Sequence, residues 1–427
     1  MSTQPLEANA VVLKWEWALK ASPAELWPFV SDTNRMNVIA GMSPVRFTEH
    51  PRPEGPARRV GHSKLLGFPV SWDEHPFRWV YPESFQVLRS FHSGPLSAYL
   101  SKVVLTAEGT GTRLTHTVRI VPRSWMLSPF VKAEGAQLQK KWERAYRTID
   151  AHLTFGGPHP FGTPVKKPHP EPVRSIVERL EAQGQDPALV AGLVEFVLGA
   201  HETELEHLRP FMLADRWRAP RTQVLELLMA AAAHGLLEAR WSHLCPQCRG
   251  PKASADHPDR LAEAASCVSC GITFERAGEE NIELAFRPAP AVREITGVTY
   301  CVGGPGATPH VLYQDELQPG ARLELALPVE PGLYRLRSAL PKGEAIVHYL
   351  GAEGPAREAA AVRVTEAGVL APAEALAGET LKLALESEAA AVHVVLERTA
   401  MGSEIATAHH VRATPSYQAF MQAGAKA

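Results

Sequence analysis

Cysteine is scarce in this chain: there are five among 427 residues, and four of them fall in two short motifs. Charge of either sign is not in excess, because the formal net charge is −2, which argues against a protein whose main role is to coat nucleic acid. No uninterrupted apolar run is long enough to span a bilayer. The first ten residues have neither a basic segment nor an apolar core, so we expect no signal peptide and a cytoplasmic location.

Two catalytic signatures are also missing. The glycine-rich stretch at residues 303–306 lacks the Lys-Ser/Thr pair that follows in a P-loop. In the N-terminal part no paired acid and base can be recognised, although His75, His92 and His116 leave this question open. The sequence therefore favours a non-enzymatic protein without excluding activity.

The cysteines that are present carry the strongest chemical signal. Two Cys-x-x-Cys motifs contain Cys245 with Cys248 and Cys267 with Cys270, a spacing typical of a zinc ribbon. Four thiolates complete a tetrahedral site and leave no position for substrate, so the predicted Zn²⁺ is structural. Two disulfides, a dithiol redox centre and an iron–sulfur cluster remain alternatives. The fifth cysteine, Cys301, is predicted to be a buried small residue.

Proline and glycine mark the predicted boundaries of the domains. Residues 156–172 are rich in both and predict a semi-rigid linker. We predict a multidomain α+β protein with the following segments: ligand-binding domain 1–155, linker 156–172, helical segment 173–242, zinc ribbon 243–288, β-sandwich 289–400 and tail 401–427.

The N-terminal segment has the pattern strand, short helix, antiparallel meander, long helix. Ser22-Pro23 and Glu25 predict the start of the short helix through an N-cap, a proline at the first position and an acidic first turn. The long helix is predicted from apolar residues at three- and four-residue steps between positions 129 and 153.

This order, together with the sequence Ala-Ser-Pro-Ala-Glu-Leu-Trp at residues 21–27 and Ser31-Asp32, resembles the START-like superfamily, also called the polyketide cyclase/dehydrase and lipid transport family. The resemblance implies a helix-grip fold with a cavity for a hydrophobic small molecule or lipid. Six aromatic residues are candidates for lining it: Trp72, Phe77, Trp79, Phe91, Tyr99 and Trp142. The alternative is that these aromatics fill an ordinary core. A further alternative is an enzyme of the polyketide cyclase/aromatase type.

Residues 173–242 have helical periodicity and end in a helix, turn, helix, strand pattern that resembles a winged helix. The second of these helices offers little basic surface, because the available cations are Arg216, Arg218, Arg221 and Arg240. DNA binding is thus the minor alternative, and a packing or docking role is favoured.

The last large segment alternates apolar and polar residues in short runs separated by turns such as Pro319-Gly320 and Pro331-Gly332. This spacing is typical of a β-sandwich. Such modules commonly bind proteins, but fold alone does not fix function.

Several motifs between residues 170 and 400 together resemble the regulatory region found ahead of the catalytic domain in a group of bacterial adenylate/guanylate cyclases. They are residues 243–250, 267–274, 281–288, 300–305 and 309–311. The chain departs from that pattern after residue 400, where too little sequence remains for a cyclase domain, so no cyclase activity is carried over. We therefore hypothesise a cytoplasmic sensor or adaptor that binds a hydrophobic small molecule or lipid and a protein partner, with a separate nucleotide cyclase or another signalling enzyme as the candidate partner.

Overall fold

The computed structural model describes residues 10–52, 57–65, 67–156, 160, 169–275, 278–295, 299–338, 343–352, 356–388 and 391–424. The chain divides into two compact units, each built from two stretches of sequence. Unit 1 comprises Met1–Pro160 and Tyr300–Met401, and unit 2 comprises Phe161–Thr299 and Gly402–Ala427.

The first stretch of unit 1 has the predicted order of strand, short helix, antiparallel meander and long helix, except that two short helices stand where one was predicted. Its elements are β1 (Val11–Leu19), α1 (Pro23–Val30), α2 (Thr33–Ile39), β2 (Arg46–His50), β3 (Arg58–Leu65), β4 (Phe68–Glu74), β5 (Arg78–Val80), β6 (Ser84–Phe91), β7 (Leu96–Glu108), β8 (Gly111–Pro122) and α3 (Ser128–Phe155). The predicted start of α1 is confirmed, because Ser22 and Glu25 form a capping box.

The first stretch of unit 2 is helical and then changes to short strands. Its elements are α4 (Val173–Ala182), α5 (Pro187–Gly199), α6 (Glu202–Leu205), α7 (Pro210–Trp217), α8 (Arg221–Ala233), β9 (Leu237–Leu244), β10 (Pro251–Ala255), β11 (Ala264–Cys267), β12 (Ile272–Glu275) and β13 (Ile282–Pro288).

The remaining chain supplies the strands that complete unit 1 and two short helices that belong to unit 2. These elements are β14 (Val311–Leu317), β15 (Arg322–Leu327), β16 (Gly332–Ser338), β17 (Gly343–Tyr349), β18 (Ala359–Thr365), β19 (Gly368–Leu370), β20 (Leu381–Ser387), β21 (Val392–Arg398), α9 (Ala408–Arg412) and α10 (Tyr417–Gly424).

A single sheet runs through both stretches of unit 1. Its strand order is β1-β8-β7-β6-β5-β14-β21-β16-β17, and β2, β3 and β4 join it through the pairing of β4 with β6. The connection between the stretches is the antiparallel pair β5–β14, in which Val80 faces Tyr313 and Trp79 faces Gln314. The C-terminal strands therefore extend the sheet of the N-terminal meander.

Helix α3 packs against the N-terminal part of this sheet. Its buried side chains include Trp142, Ala145, Tyr146 and Ile149, which share a hydrophobic core with β1, β7 and β8. The helix has one apolar face because these residues recur at three- and four-residue steps.

The C-terminal strands of unit 1 form two layers. One layer is the continuation of the large sheet, and the other has the strand order β15-β20-β18-β19. Buried side chains from both layers, such as Tyr334 and Leu336 on one and Leu383 and Leu385 on the other, form one core. Within the second layer β18 and β20 pair in parallel.

Unit 2 places its helices against a small sheet of order β10-β9-β13. Helices α7 and α8 and strand β9 follow each other as the sequence pattern predicted. Much of α8 is buried, including Val224, Leu225 and Leu228. Among the residues that the structure describes, no helix combines the length and the apolar character needed to cross a membrane.

The junction between β5 and β14 yields a prediction about stability. The buried Trp79 Nε1 donates a hydrogen bond of 3.0 Å to the Val311 carbonyl, so Trp79→Phe leaves that buried carbonyl without this donor. We expect the free energy of unfolding to fall by about 1–3 kcal/mol, measured by urea unfolding. The matched control is Trp125→Phe at a side chain that is 78% exposed. Equal free energies of unfolding for the two variants would contradict a stabilising role of the Trp79–Val311 hydrogen bond at this junction.

Candidate functional site

Four cysteine side chains of unit 2 converge on one point. The sulfur atoms of Cys245, Cys248, Cys267 and Cys270 all lie within 4.8 Å of one another, and all four cysteines are free of disulfide bonds. The Cys248 and Cys267 sulfurs are 3.9 Å apart. Ligands about 2.3 Å from a central ion in a tetrahedron are separated by about 3.8 Å. The cluster could therefore hold a metal ion.

Two hairpins present these thiols. In the first, β9 and β10 flank the motif of Cys245, whose amide donates to the Gly250 carbonyl while its carbonyl accepts from Arg249. In the second, β11 and β12 flank the motif of Cys267, whose carbonyl accepts from the amides of Cys270 and Gly271. Each tight turn directs two thiols to the same side, which explains the Cys-x-x-Cys spacing.

The environment of the thiols favours a bound cation. Cys245 and Cys267 are fully buried. The four sulfurs are coupled, because contact with the other cysteines lowers the pKa of the Cys267 thiol and the same contacts raise the pKa of Cys245 and Cys270. A buried thiolate needs a compensating positive charge. Lys252 beside the cluster supplies one, and its pKa is raised by the sulfurs despite burial. The donor set fits a metal with a preference for soft ligands.

A second candidate site is a cavity in unit 1 between α2, α3 and the sheet. It is lined by Val30, Thr33, Met36, Asn37, Phe77, Phe85, Val87, Arg89, Tyr99, Ser101, Val103, His116, Trp142, Tyr146 and Cys301. The lining is mostly apolar, with a few polar groups that converge on the interior. This composition is typical of small-molecule sites.

The cavity is small. Its volume is about 50 Å³, whereas a cavity of about 150 Å³ accommodates benzene and sites for drug-sized ligands occupy about 300–1,000 Å³. In this conformation the cavity therefore has room for a few water molecules.

Three hydrogen-bonded polar side chains, those of Ser101, His116 and Tyr146, cross one wall of the cavity. The His116 Nε2 lies 2.9 Å from the Ser101 hydroxyl, and its Nδ1 lies 3.2 Å from the Tyr146 hydroxyl. Burial lowers the pKa of His116 to about 3 and raises the pKa of Tyr146. These three hydrogen-bonded side chains are thus uncharged at neutral pH.

Next to these hydrogen-bonded side chains lies a partly buried ion pair. The Arg89 Nε donates to the Glu74 carboxylate at 2.8 Å, and the Arg89 Nη2 lies 3.6 Å from the Cys301 sulfur. The Cys301 thiol donates to Glu74 at 3.5 Å. Burial and the nearby carboxylate raise the pKa of Cys301 to about 12, so Cys301 is a thiol at neutral pH.

The six aromatic residues predicted to line a cavity occupy different places. Phe77, Tyr99 and Trp142 line the cavity described above. Trp72 and Phe91 pack on each other with ring centroids 5.5 Å apart, in a separate cluster with Val45 and Val70.

The sixth aromatic residue, Trp79, is buried in the main core of unit 1 and bonds to Val311. Of the histidines left open by the sequence, His75 bonds to Ser90 and His92 pairs with Asp73, whereas His116 lies in the cavity wall.

Sequence reasoning missed several polar residues of the cavity, among them Arg89, Ser101 and Tyr146. One signal was available for His116, because it alternates with the buried residues Leu114 and Val118 on β8 and so must face the core. Nothing local marks Cys301, which is 212 positions from Arg89 in sequence.

Two of the arginines considered for DNA binding are engaged in ion pairs. Arg216 pairs with Glu204 at 3.1 Å, and Arg221 pairs with Asp215 at 2.8 Å. These carboxylates neutralise charge that phosphate binding would need.

Comparisons with known proteins give a match to one family model and several solved structures similar to part of the chain. A family model described as "Family of unknown function (DUF5939)" matches residues 173–300, the part of the chain that holds the four clustered cysteines. No curated protein matches the chain.

Among solved structures, the Zhui aromatase/cyclase from Streptomyces sp. R1128 is 12% identical and covers 35% of this chain and 98% of its own, with a TM-score of 0.27. The protein TTHA0849 from Thermus thermophilus is 16% identical and covers 34% of this chain and 99% of its own, with a TM-score of 0.25. The protein Ms6760 from Mycobacterium smegmatis is 18% identical and covers 35% of this chain and 94% of its own, with a TM-score of 0.24.

Burial of His116 predicts a pH dependence of stability. The folded protein holds this imidazole neutral down to a pKa of about 3, whereas the unfolded chain protonates it near pH 6.5. The stabilisation is therefore present above pH 6.5 and is lost as the pH falls from there towards 3, by up to about 1.4 kcal/mol per pH unit. Between pH 7 and 5, the free energy of unfolding of His116→Asn should fall by about 2 kcal/mol less than that of the parent protein, as measured by urea unfolding.

The control for this experiment is His50→Asn, which replaces an exposed histidine of the same unit. It should keep the parent's pH dependence. If His116→Asn also keeps it, the neutral buried state assigned to His116 is wrong.

Proposed function

We propose that this protein is a non-enzymatic cytoplasmic sensor or adaptor whose START-like part binds a hydrophobic small molecule or lipid, while a structural zinc ion stabilises unit 2. The observation that carries the proposal is the Trp142 indole. This side chain is 7% exposed and lines the cavity, and within the described residues its Nε1 has no hydrogen-bond partner.

An unsatisfied buried donor costs about 1–3 kcal/mol, so such groups are usually completed by water or a ligand. A ligand with a carbonyl or ether oxygen would accept from Trp142. The apolar neighbours, among them Phe77, Phe85 and Val103, would contact the rest of the ligand.

The charges around the cavity support an uncharged ligand. Arg89 is neutralised by Glu74 at 2.8 Å, and the low pKa of His116 keeps its imidazole neutral. A charged ligand would have to leave water without a free counter-ion here, which is costly. We therefore propose an apolar, uncharged molecule with at least one hydrogen-bond acceptor.

The same histidine favours binding over catalysis. A general base works best when its pKa is near the operating pH, and a pKa of about 3 makes His116 a weak base. The alternative of a polyketide cyclase/aromatase-type enzyme would need a different base at the cavity.

For the cysteine cluster we propose Zn²⁺ as the ion. Four thiolates leave a tetrahedral ion no open coordination position, so its role would be to stabilise the two hairpins rather than to react. For the sandwich layers of unit 1 we propose a protein partner. The sequence resemblance indicates a nucleotide cyclase or another signalling enzyme as the first candidate.

The zinc proposal predicts one equivalent of Zn²⁺ per chain in freshly purified protein. Cys267→Ser should lose the metal and the stability of unit 2, because it removes one of the four ligands. Cys301→Ser, at the fifth cysteine of the chain, should retain a full equivalent. The metal content is measured by elemental analysis. Iron in place of zinc, or no metal at all, would overturn the proposal.

The ligand proposal can be tested with prodan, an apolar, uncharged fluorophore that carries one carbonyl group. Trp142→Phe keeps the ring and removes the donor, so the affinity should fall by about 2- to 12-fold, as expected for the loss of one hydrogen bond worth about 0.5–1.5 kcal/mol. Binding is measured by fluorescence titration, with the exposed Trp125→Phe as the control. The same affinity in both variants would remove Trp142 from the site.

A further inference from the structure

A short segment from the second stretch of unit 1 forms part of the wall of this cavity. This cover segment, Tyr300–Ala307, contributes Cys301 to the lining. Much of the rest of the lining lies on helices or strands of the sheet, for example Met36 on α2 and Val103 on β7. The cover segment is irregular except for a single 3-10 turn at Pro305–Ala307.

Hydrogen bonds from sequence-distant residues hold the cover segment in place. The Asn34 side-chain oxygen accepts from the amides of Tyr300 at 2.7 Å and Cys301 at 3.1 Å. The Gly306 amide donates to the Ser31 carbonyl at 3.1 Å. These contacts join the segment to the end of α1 and the beginning of α2.

Two glycines allow the cover segment to approach that helix end closely. A Cβ atom at Gly304 would lie 2.6 Å from the Thr33 hydroxyl oxygen, and one at Gly306 would lie 2.6 Å from the Asp32 Cα. A larger side chain at Gly306, or at Gly304 while Thr33 keeps its hydroxyl group, would push the segment away from the helices. On its inner side, Cys301 contacts the Glu74–Arg89 pair.

The other connecting segment of the lining bonds to strands of the sheet. Phe77 lies in the short link between β4 and β5, where its carbonyl accepts from the Gln314 amide group at 2.7 Å and the neighbouring His75 amide donates to the Leu88 carbonyl. A segment that opens at low cost has few backbone hydrogen bonds to regular structure. Two residues at the turn between α1 and α2, Ser31 and Asn34, accept the hydrogen bonds of the cover segment, so breaking contacts at this one turn would release it.

We propose that Tyr300–Ala307 is a hinged cover that controls access to the cavity, and that a ligand enters when this segment leaves α2. This inference rests on the proposed ligand-binding function and adds its regulation. It accounts for a cavity of about 50 Å³, which is too small for the proposed ligand while the cover is closed. Because the cover precedes β14, occupancy of the cavity is linked to the strand that joins the two parts of the sheet.

The geometry allows an engineered disulfide that would hold the cover segment against α2 and could be reduced again. A Cβ atom at Gly304 would lie 3.6 Å from the Thr33 Cβ, within the range that disulfides require. The full-length, zinc-loaded protein with Thr33→Cys and Gly304→Cys, in a Cys301→Ser background, can therefore be locked by oxidation and released by dithiothreitol. Prodan association is followed by stopped-flow fluorescence in both states of the same protein.

A second pair of variants loosens the cover. Asn34→Ala removes the acceptor of two amide hydrogen bonds, whereas Asn34→Asp keeps an acceptor at the same place and serves as the matched control. We expect oxidation of the double-cysteine protein to slow prodan association at least tenfold, with recovery on reduction. We also expect Asn34→Ala to speed association several-fold relative to Asn34→Asp.

The outcomes separate the cover from the binding function. If prodan binds with the same rate to the locked, released and loosened proteins, the cover is refuted and the binding function stands. If none of them binds prodan, including Asn34→Ala, the proposed binding function fails and the cover fails with it. Faster hydrogen exchange of the Cys301 and Gly306 amides in Asn34→Ala than in Asn34→Asp would independently support an opening segment.

Discussion

The pairing of β5 with β14 is the contact on which the architecture of unit 1 depends. It joins strands more than 200 positions apart in sequence through the Val80–Tyr313 and Trp79–Gln314 pairs. Arg78 reinforces the pair by contacting Glu316 at 2.8 Å. Because β14 is held there, the residues just before it are brought to the cavity beside α2. The presence of Cys301 in the cavity wall is therefore a consequence of sheet pairing.

The interior of the cavity shows how polar groups are tolerated in an apolar wall. Glu74 and Arg89 neutralise each other, and His116 avoids the cost of a buried charge by staying neutral between Ser101 and Tyr146. Trp142 is the exception, since its Nε1 has no partner within the described residues. This unpaired donor fits the ligand proposed above, which carries a hydrogen-bond acceptor and no charge.

Unit 2 uses a different principle of stabilisation. Its helices share an apolar core with β9 and β13, whereas the hairpin β11–β12 spans four residue pairs and contributes little apolar surface of its own. Short hairpins are marginally stable in water without such a surface. Cross-linking of Cys267 and Cys270 to Cys245 and Cys248 through one ion would provide the missing stabilisation.

The sequence by itself determined the features that depend on near neighbours. Cys-x-x-Cys spacing brought two thiols together in each turn, Ser22 and Glu25 marked the start of α1, and alternation placed His116 on the buried face of β8. These signals are local, because turn geometry, helix capping and strand pleat act over two to four residues.

Only the tertiary structure decided which aromatic residues meet. Trp72, Phe77 and Trp79 are all buried aromatic residues in one stretch of the sequence. Of these three, Phe77 alone lines the cavity. It also decided that Cys301 lies against Arg89, 212 positions away. Such contacts depend on strand pairing between distant parts of the chain, and side chains on a buried face have the same apolar character whichever neighbour they contact.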